Sequence, residues 1–175
     1  MTLDTAIQDT HTPDATPSAP AAHPRPSPEA AQKPARADTA VIRDWLLPRS
    51  AFTREMGTEV IRCGDGEAEL ALAMRPDLTQ HHGTLHGGVV FTMMDNVACW
   101  AGASVAGDLV SVGMTVNFLA PGRGDRFTAT ARVVSSGKRM VVAMTEAWAI
   151  RDGERRLIAT GVCTMLPTDA APVRA

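Results

Sequence analysis

From residue 57 onward, apolar and polar positions alternate along several stretches of the chain. In the clearest stretch Ala68, Leu70, Leu72 and Met74 share one face, and charged or small residues share the other. A period of two predicts half-buried β-strands. The predicted strands cover residues 57–63, 67–75, 109–119, 126–134, 139–150 and 155–166. Segments rich in glycine, aspartate and proline separate them and predict tight turns, such as the hairpin turn at residues 64–66.

A second pattern interrupts the strands between residues 87 and 104, where nearly every position is apolar and suits a helix. A helix that is apolar all round must be covered on every side. One antiparallel sheet curled around this helix, with a second copy of the chain over its far side, meets that requirement and predicts an α+β fold. A short amphipathic helix over residues 41–47, ended by Pro48, precedes the strands.

The first 40 residues differ from the rest, because they are rich in proline and alanine and hold few large apolar side chains. Such a segment buries too little surface to offset the entropy lost on ordering. The predicted organisation is therefore a disordered tail over 1–40, one folded domain over 41–167 and a loose C-terminal tail over 168–175.

Charge and cysteine content narrow the class of protein. The formal net charge of −2 argues against a nucleic-acid partner, which would favour a basic surface. Cys63, Cys99 and Cys163 are far apart in sequence and form no C-x-x-C pair, so neither a disulfide framework nor a zinc ribbon is indicated. We find no signal-peptide pattern and no apolar run suited to a membrane span. A cytoplasmic location is therefore expected, with no membrane partner.

Motifs of several common catalytic sites are missing. His81, His82 and His86 lie close in sequence, but no carboxylate or cysteine stands at metal-ligand spacing, and we expect no metal. The G-x-S-x-G pattern of serine hydrolases and the glycine-rich patterns of nucleotide-binding loops are absent. No cofactor is therefore predicted.

Asp95 is the first candidate for catalysis, because it interrupts the apolar helix between Met94 and Val97. Burial of an unpaired carboxylate costs several kcal/mol, so such a residue normally has a partner or a function. The alternative is a carboxylate paired in the core or exposed in a groove.

The helix start is the second candidate. Backbone N–H groups at a helix N-terminus lack partners and attract negative charge, and glycine lets a ligand approach closely. Gly87 and Gly88 therefore suit the stabilisation of an oxyanion, although a tight entry turn would explain them equally well. Gly87 and Asp95 are about 12 Å apart along the helix axis, so one chain cannot supply both to a single carbon atom. If both act, the site lies between two subunits.

Residues 80–95 resemble the PaaI-like hotdog thioesterases, a family related to the 4-hydroxybenzoyl-CoA thioesterases. The string H-G-G-x6-D, from His86 to Asp95, is the most specific part. Residues 117–122 and Gly137-Lys138 match further turns of the family, and the resemblance covers about residues 55–166. It implies the hotdog fold, in which an antiparallel curved sheet wraps around one long central helix. It also implies hydrolysis of an aryl- or medium-chain acyl-CoA by a homodimer that often pairs into a homotetramer.

The resemblance also implies roles for particular residues. Asp95 would act as nucleophile or as general base, and Gly87 N–H would polarise the thioester carbonyl. Gln80 stands where the family often has an asparagine that positions the acid or the water. Ser111 would orient water, and His86 would hold the loop.

Substrate contacts are expected from two further groups of residues. An apolar acyl pocket and its surroundings would draw on Gly88, Met94, Asn96, Cys99 and Met114, each of which also suits plain packing. Cations at turns and strand ends would meet the CoA phosphates. They are Arg123, Arg126, Lys138 and Arg139.

Two other functions fit the same fold. A non-catalytic acyl-CoA sensor would bind the substrate without releasing a thiol. A hotdog dehydratase or hydratase would normally carry a histidine downstream of the acid, and none lies between Asp95 and Pro121. The acyl group, and the choice between nucleophile and base, stay open at this point.

Overall fold

The structure is a computed structural model that describes residues 36–168. Within that range the helical segments are a π-helix at Val41–Leu46, 3-10 turns at Leu47–Arg49 and Pro76–Leu78, α1 at Ala51–Glu55 and α2 at Gly87–Ala106. The strands are β1 (Glu59–Gly64), β2 (Glu67–Ala73), β3 (Leu109–Phe118), β4 (Arg126–Ser136), β5 (Val141–Arg151) and β6 (Glu154–Pro167). Residues 1–35 and 169–175 lie outside the described part, and so do most of both predicted tails.

The six strands form one antiparallel sheet in the order β1-β2-β4-β5-β6-β3. Two-residue turns close the β1–β2 and β5–β6 hairpins. Asp65 and Gly66 in the first turn, and Asp152 and Gly153 in the second, all have φ between 52° and 81°. Two consecutive left-handed residues make a type I′ turn, whose twist matches that of paired strands. The Asp-Gly signals in the sequence therefore predicted both hairpins correctly.

Helix α2 packs across the concave side of the sheet and contacts all six strands. Its sheet-facing side is fully buried at Met94, Val97 and Ala98, against Leu70 and Phe127 of the sheet. The hairpin β1–β2 is tied to the same helix, because Gly66 N–H donates to Ser104 Oγ at 2.8 Å. This arrangement confirms the hotdog architecture expected from the sequence.

In the single chain the outer side of α2 is only partly covered, and this is the side that the sequence analysis assigns to a second copy of the chain. Phe91 is exposed and Asp95, Asn96 and Cys99 are half-buried. By length and composition alone α2 would suit a membrane span, but half of that window is buried inside the domain, as expected for a core helix. The apolar run therefore reflects packing on the sheet and an uncovered outer side.

Strand β3 forms one edge of the sheet and pairs on one side only, with β6. Several large apolar side chains on or just after it are about half exposed: Val110, Val112, Phe118 and Leu119. An edge strand with free backbone groups and apolar side chains is a surface suited to pairing with another chain.

Two details differ from the prediction. No pattern in the sequence predicted α1, a helix of little more than one turn. Thr53 holds it in place by accepting hydrogen bonds from Ser50 Oγ and Asn96 Nδ2. Residues 37–40, assigned to the tail, already contact the domain, since Ala37 N–H donates to Ala103 O and Thr39 Oγ1 to Cys63 O. Both differences come from tertiary contacts that local patterns do not encode.

One buried hydroxyl yields a stability prediction. Thr145 Oγ1, on β5, is buried without a hydrogen-bond partner in the described chain. Replacing an unpaired buried hydroxyl by a methyl of similar shape removes its desolvation cost. Thr145→Val should raise the free energy of unfolding by about 1 kcal/mol, measured by urea denaturation. Thr130→Val, at a partly exposed position of the same sheet, should change it by less than about 0.5 kcal/mol; a loss of stability in Thr145→Val would contradict this account.

Candidate active site

The start of α2 carries one open backbone donor. His86 is the N-cap in extended geometry, and its Nδ1 accepts the N–H of Gly88 at 2.9 Å. Gly87 N–H donates no hydrogen bond within residues 36–168. The cap therefore satisfies the second glycine and leaves the first available to a ligand.

Gly87 lines a pocket of about 400 Å³. The Phe118 ring lies 3.5 Å from the position that a Cβ on Gly87 would take, and Leu85 N–H donates to Gly122 O at 2.9 Å. These contacts join the helix start to the segment that follows β3. The pocket lining also includes Gln80, Val90, Pro121 and Ile158. Its lining is mixed, because side chains such as Val90, Phe118 and Ile158 are apolar and polar atoms contribute nearly as much surface. A mixed lining suits an acyl thioester, which has an apolar acyl part and a polar carbonyl.

Gln80 lies in this pocket, but its amide is engaged within the loop before the helix. Its Nε2 donates to Thr84 Oγ1 at 2.9 Å, and its Oε1 accepts His82 N–H at 3.3 Å. Within one chain, Gln80 therefore belongs with Gly87 and fixes the shape of the loop. Its predicted role in positioning the acid or the water requires Asp95 of another chain.

Asp95 heads a second group of residues, two turns along the helix from Gly87. Its negative charge contributes to raising the pKa values of Cys99, one turn further along α2, and Cys163 on β6. Ser111, at the start of β3, faces the Cys99 thiol and favours its ionised form. The structure thus brings Asp95, Cys99 and Ser111 near one another and adds Cys163 to the group.

Burial of Asp95 was overestimated from the sequence. The residue is half-buried in the single chain, because it lies on the side of α2 that faces away from the sheet. A carboxylate flanked by apolar residues in sequence need not be enclosed by them, since helical neighbours point in different directions. Asp95 is therefore a candidate for function because it lies beside an uncovered surface.

The two groups do not meet within one chain. Both lie on the same continuous helix, so their separation along its axis is about 12 Å. Asp95 is absent from the lining of the pocket that contains Gly87. A site that uses both groups therefore needs two copies of the chain.

The thiols near Asp95 are unsuited to nucleophilic attack. Burial, followed by the charge of Asp95, raises the pKa of Cys99 to about 12 and that of Cys163 to about 11. A thiol attacks as thiolate, so a raised pKa suppresses its reactivity near neutral pH. This leaves Asp95 as the candidate reactive group of its cluster.

The remaining predicted contacts separate into core and surface. Met94 is fully buried against the sheet near Gly161, and the Asn96 amide donates to Thr53 Oγ1 at 3.2 Å. Gly88 has its N–H satisfied by His86, whereas Met114 is half-buried opposite Cys163 in the β3–β6 ladder. Among the residues that the structure describes, no three His, Cys, Asp or Glu side chains group as metal ligands.

The predicted cations occupy different places. Arg126 donates two hydrogen bonds to the Glu59 carboxylate, at 2.6 and 3.0 Å. These bonds hold the pKa of Glu59 below its ordinary value, and the carboxylate balances the positive charge of the guanidinium. Lys138 and Arg139 lie in the β4–β5 turn. Arg123 directly follows Gly122 of the pocket and is exposed. Arg123 is therefore the predicted cation nearest to Gly87 along the pocket wall.

Sequence reasoning missed two parts of the site. Phe118 and Ile158 line the pocket beside Gly87, although they are distant from it in sequence and belong to neighbouring strands. The match of residues 117–122 to a family turn was the available signal for the first of them. Nothing in the sequence indicated that β6 contributes Ile158.

Comparison with known proteins adds the family. The profile of the thioesterase superfamily matches residues 82–155. Acyl-coenzyme A thioesterase PaaI of Escherichia coli K12 is 31% identical over 95 residues, which are 54% of this chain and 68% of that protein. The medium/long-chain acyl-CoA thioesterase YigI of the same strain is 28% identical over 144 residues, covering 72% of this chain and 91% of that protein.

A solved structure agrees with these relatives. The crystal structure of a thioesterase family protein from Silicibacter pomeroyi superposes with a TM-score of 0.70 at 35% sequence identity. The match covers 73% of this chain and 95% of that one. Fold and sequence therefore point to the same family.

The thiol pKa values predict slow alkylation of Cys99. Its pKa is raised from 9.0 to about 12, so at pH 9 it is largely protonated in the folded protein and half ionised when unfolded. Iodoacetamide should label Cys99 about five hundredfold more slowly in native protein than in urea, as measured by peptide mass spectrometry. Since the raised pKa favours folding only while the thiol is protonated, stability should also fall as pH rises from 9 towards 12. Equal labelling rates in both states would contradict the raised pKa.

Proposed function

We propose that this chain, which belongs to the thioesterase superfamily and has its hotdog fold, hydrolyses an acyl-CoA to the free acid and CoA. Membership of that family makes it a thioester hydrolase. The observation that carries the proposal is the open Gly87 N–H at a helix start that lines a pocket of mixed polar and apolar surface. Such a donor stabilises the oxyanion of a tetrahedral intermediate. The names of PaaI and YigI, both acyl-CoA thioesterases, agree with this substrate class.

We propose that the active site forms between two protomers joined through β3. Ser111 near the start of β3 belongs to the Asp95 group, and Phe118 at its end packs beside Gly87. Antiparallel pairing of two β3 edges about a two-fold axis places the start of one strand beside the end of the other. Asp95 of one protomer would then approach Gly87 of its partner, twice per dimer, and the exposed apolar side chains of β3 would be buried.

In this arrangement the reaction proceeds by attack on the thioester carbon. Gly87 N–H polarises the carbonyl oxygen, and Asp95 of the partner removes a proton from water or attacks directly. If Asp95 acts as base, the C–S bond of the tetrahedral intermediate then breaks, and the CoA thiolate takes up the proton that Asp95 removed from water. If Asp95 attacks directly, loss of the CoA thiolate leaves a mixed anhydride on Asp95, and water hydrolyses it to the free acid and the regenerated carboxylate, with the released proton going to the thiolate. Gln80 comes from the protomer that supplies Gly87, and Ser111 comes from the protomer that supplies Asp95, so the two side chains lie on either side of the thioester carbon. His86 holds the helix start in place.

The acyl group is expected to be aryl or medium-chain, within the apolar space near Gly87 and between the protomers. Cys99 and Met114 lie on the Asp95 side of that space and suit apolar contacts. We propose a cytoplasmic location, where the three free cysteines stay reduced. Pairing of dimers into a tetramer remains a prediction from the resemblance.

Asp95→Asn tests the acid. It keeps the side-chain shape and removes the base or nucleophile, so turnover of an acyl-CoA should fall about a thousandfold or more. Free-thiol release from a panel of acyl-CoAs measures the rate, and thermal unfolding checks the fold. Asp65→Asn is the matched control, because Asp65 is an exposed turn residue at φ 52°, a conformation that asparagine accepts. Full activity in Asp95→Asn, or binding without thiol release by the natural chain, would refute the proposal.

Gly87→Pro tests the oxyanion donor. Proline suits the first position of a helix, and His86 already has the extended conformation that a residue before proline requires (φ −63°, ψ 136°). The substitution removes the N–H and should lower kcat about a hundredfold or more. Gly87→Ala keeps the N–H, and its Cβ would meet Phe118 at an ordinary 3.5 Å, so it should retain most activity. Equal activity of the two variants would show that this N–H has no catalytic role.

A further inference from the structure

Four arginines gather at one end of the sheet, close to the pocket that contains Gly87. Arg151, Arg155 and Arg156 belong to the β5–β6 hairpin, and Arg123 lies in the segment between β3 and β4. Together they line a pocket of about 470 Å³. This volume is in the range of small-molecule sites. Apart from Arg123, none of them was indicated by the sequence.

Most of this positive charge has no close carboxylate. Three acidic residues lie among the arginines: Asp125, Asp152 and Glu154. Within residues 36–168 the one ion pair in the group joins Arg151 and Asp152 at 3.8 Å, and both side chains are more than two-thirds exposed. Exposed pairs of this length contribute little. Arg123 and Arg156 therefore remain available to a phosphate.

Arg155 is held in a defined position. Its guanidinium lies over the Trp148 ring, 4.9 Å from the centroid, and donates to Thr128 Oγ1 at 3.4 Å. An arginine fixed on an aromatic face loses less entropy when it binds phosphate. The flat guanidinium also suits stacking with a nucleotide base.

The arginine pocket is linked to the Gly87 pocket through shared lining residues. A smaller pocket of about 260 Å³ lies between them and shares Thr84 with the Gly87 pocket. It shares Arg123 and Arg151 with the arginine pocket. A long, uncharged chain can therefore run from the helix start to the arginines along one protomer.

From this path we infer that the four arginines bind the nucleotide phosphates of CoA, in the same protomer whose Gly87 holds the thioester carbonyl. The inference rests on the proposed function. Coenzyme A has the required form, with a diphosphate and a 3′-phosphate separated from its thioester by an uncharged pantetheine arm. One protomer then holds both ends of the substrate, and its partner contributes the acid.

The first test compares substrates with and without phosphates. Arg123→Gln/Arg156→Gln should raise KM for an acyl-CoA about tenfold to a hundredfold and leave kcat nearly unchanged, because the lost contacts are the same in ground and transition states. The same variant should hydrolyse the corresponding acyl-pantetheine as the natural chain does. Arg132→Gln, which removes one exposed charge from the sheet away from these pockets, is the matched control.

Three outcomes would overturn the inference. They are an unchanged KM for acyl-CoA, an equal loss on acyl-pantetheine, or a larger loss in Lys138→Gln/Arg139→Gln, which would place the phosphates at the β4–β5 turn. The activity of the natural chain distinguishes a failure of this inference from a failure of the proposed function. If the natural chain releases no thiol from any acyl-CoA, the proposed function is wrong. If it turns over acyl-CoA and the arginine variant has an unchanged KM, only the arginine site is wrong.

The second test assigns the arginines to a protomer. Asp95→Asn and Arg123→Gln/Arg156→Gln proteins are mixed, dissociated and reassociated, then assayed at acyl-CoA well below the raised KM. If arginines and Gly87 come from one protomer and Asp95 from the other, each mixed dimer contains one natural site, and random mixing restores about a quarter of natural activity. Activity no higher than the average of the two variants would overturn the assignment.

Discussion

The packing of one side of α2 against the concave face of the sheet determines where every group of the site lies. Met94, Val97 and Ala98 are buried in that contact, which fixes the rotation of the helix about its axis. Asp95 is thereby turned outward, and Gly87 is set beside Phe118 and the segment after β3. A helix held by all six strands is rigid, so these two positions are fixed with respect to each other.

That rigidity explains why, under the proposed function, one chain provides half a site. Eight residues of helix separate the open N–H of Gly87 from Asp95, by about 12 Å along the axis, and no rotation of side chains spans that distance. The edge strand β3 connects the two halves, since it begins beside the Asp95 group and ends beside Gly87. The same edge carries the exposed apolar side chains, which links pairing of protomers to assembly of the site.

The division of labour extends to the substrate. The Gly87 pocket, the intermediate pocket and the arginine pocket follow one another along a single protomer. Substrate position would then be set by contacts within one chain, and its reactivity by an acid from the other. Catalysis in such an enzyme depends on dimerisation even though binding of the CoA portion does not.

The sequence by itself determined the strands, the central helix, both Asp-Gly turns and the family, because these depend on residue periodicity, local backbone preference and the His86–Asp95 string. The roles of Asp95, Gly87, Gln80 and Ser111 remain predictions supported by their positions. The tertiary structure alone decided that Asp95 is half-buried, that Asn96 holds α1 through Thr53, that Ile158 lines the Gly87 pocket, and that the hairpin arginines share a pocket with Arg123. Strand pairing joins residues far apart in the chain, and no local pattern records which distant residues the sheet brings together.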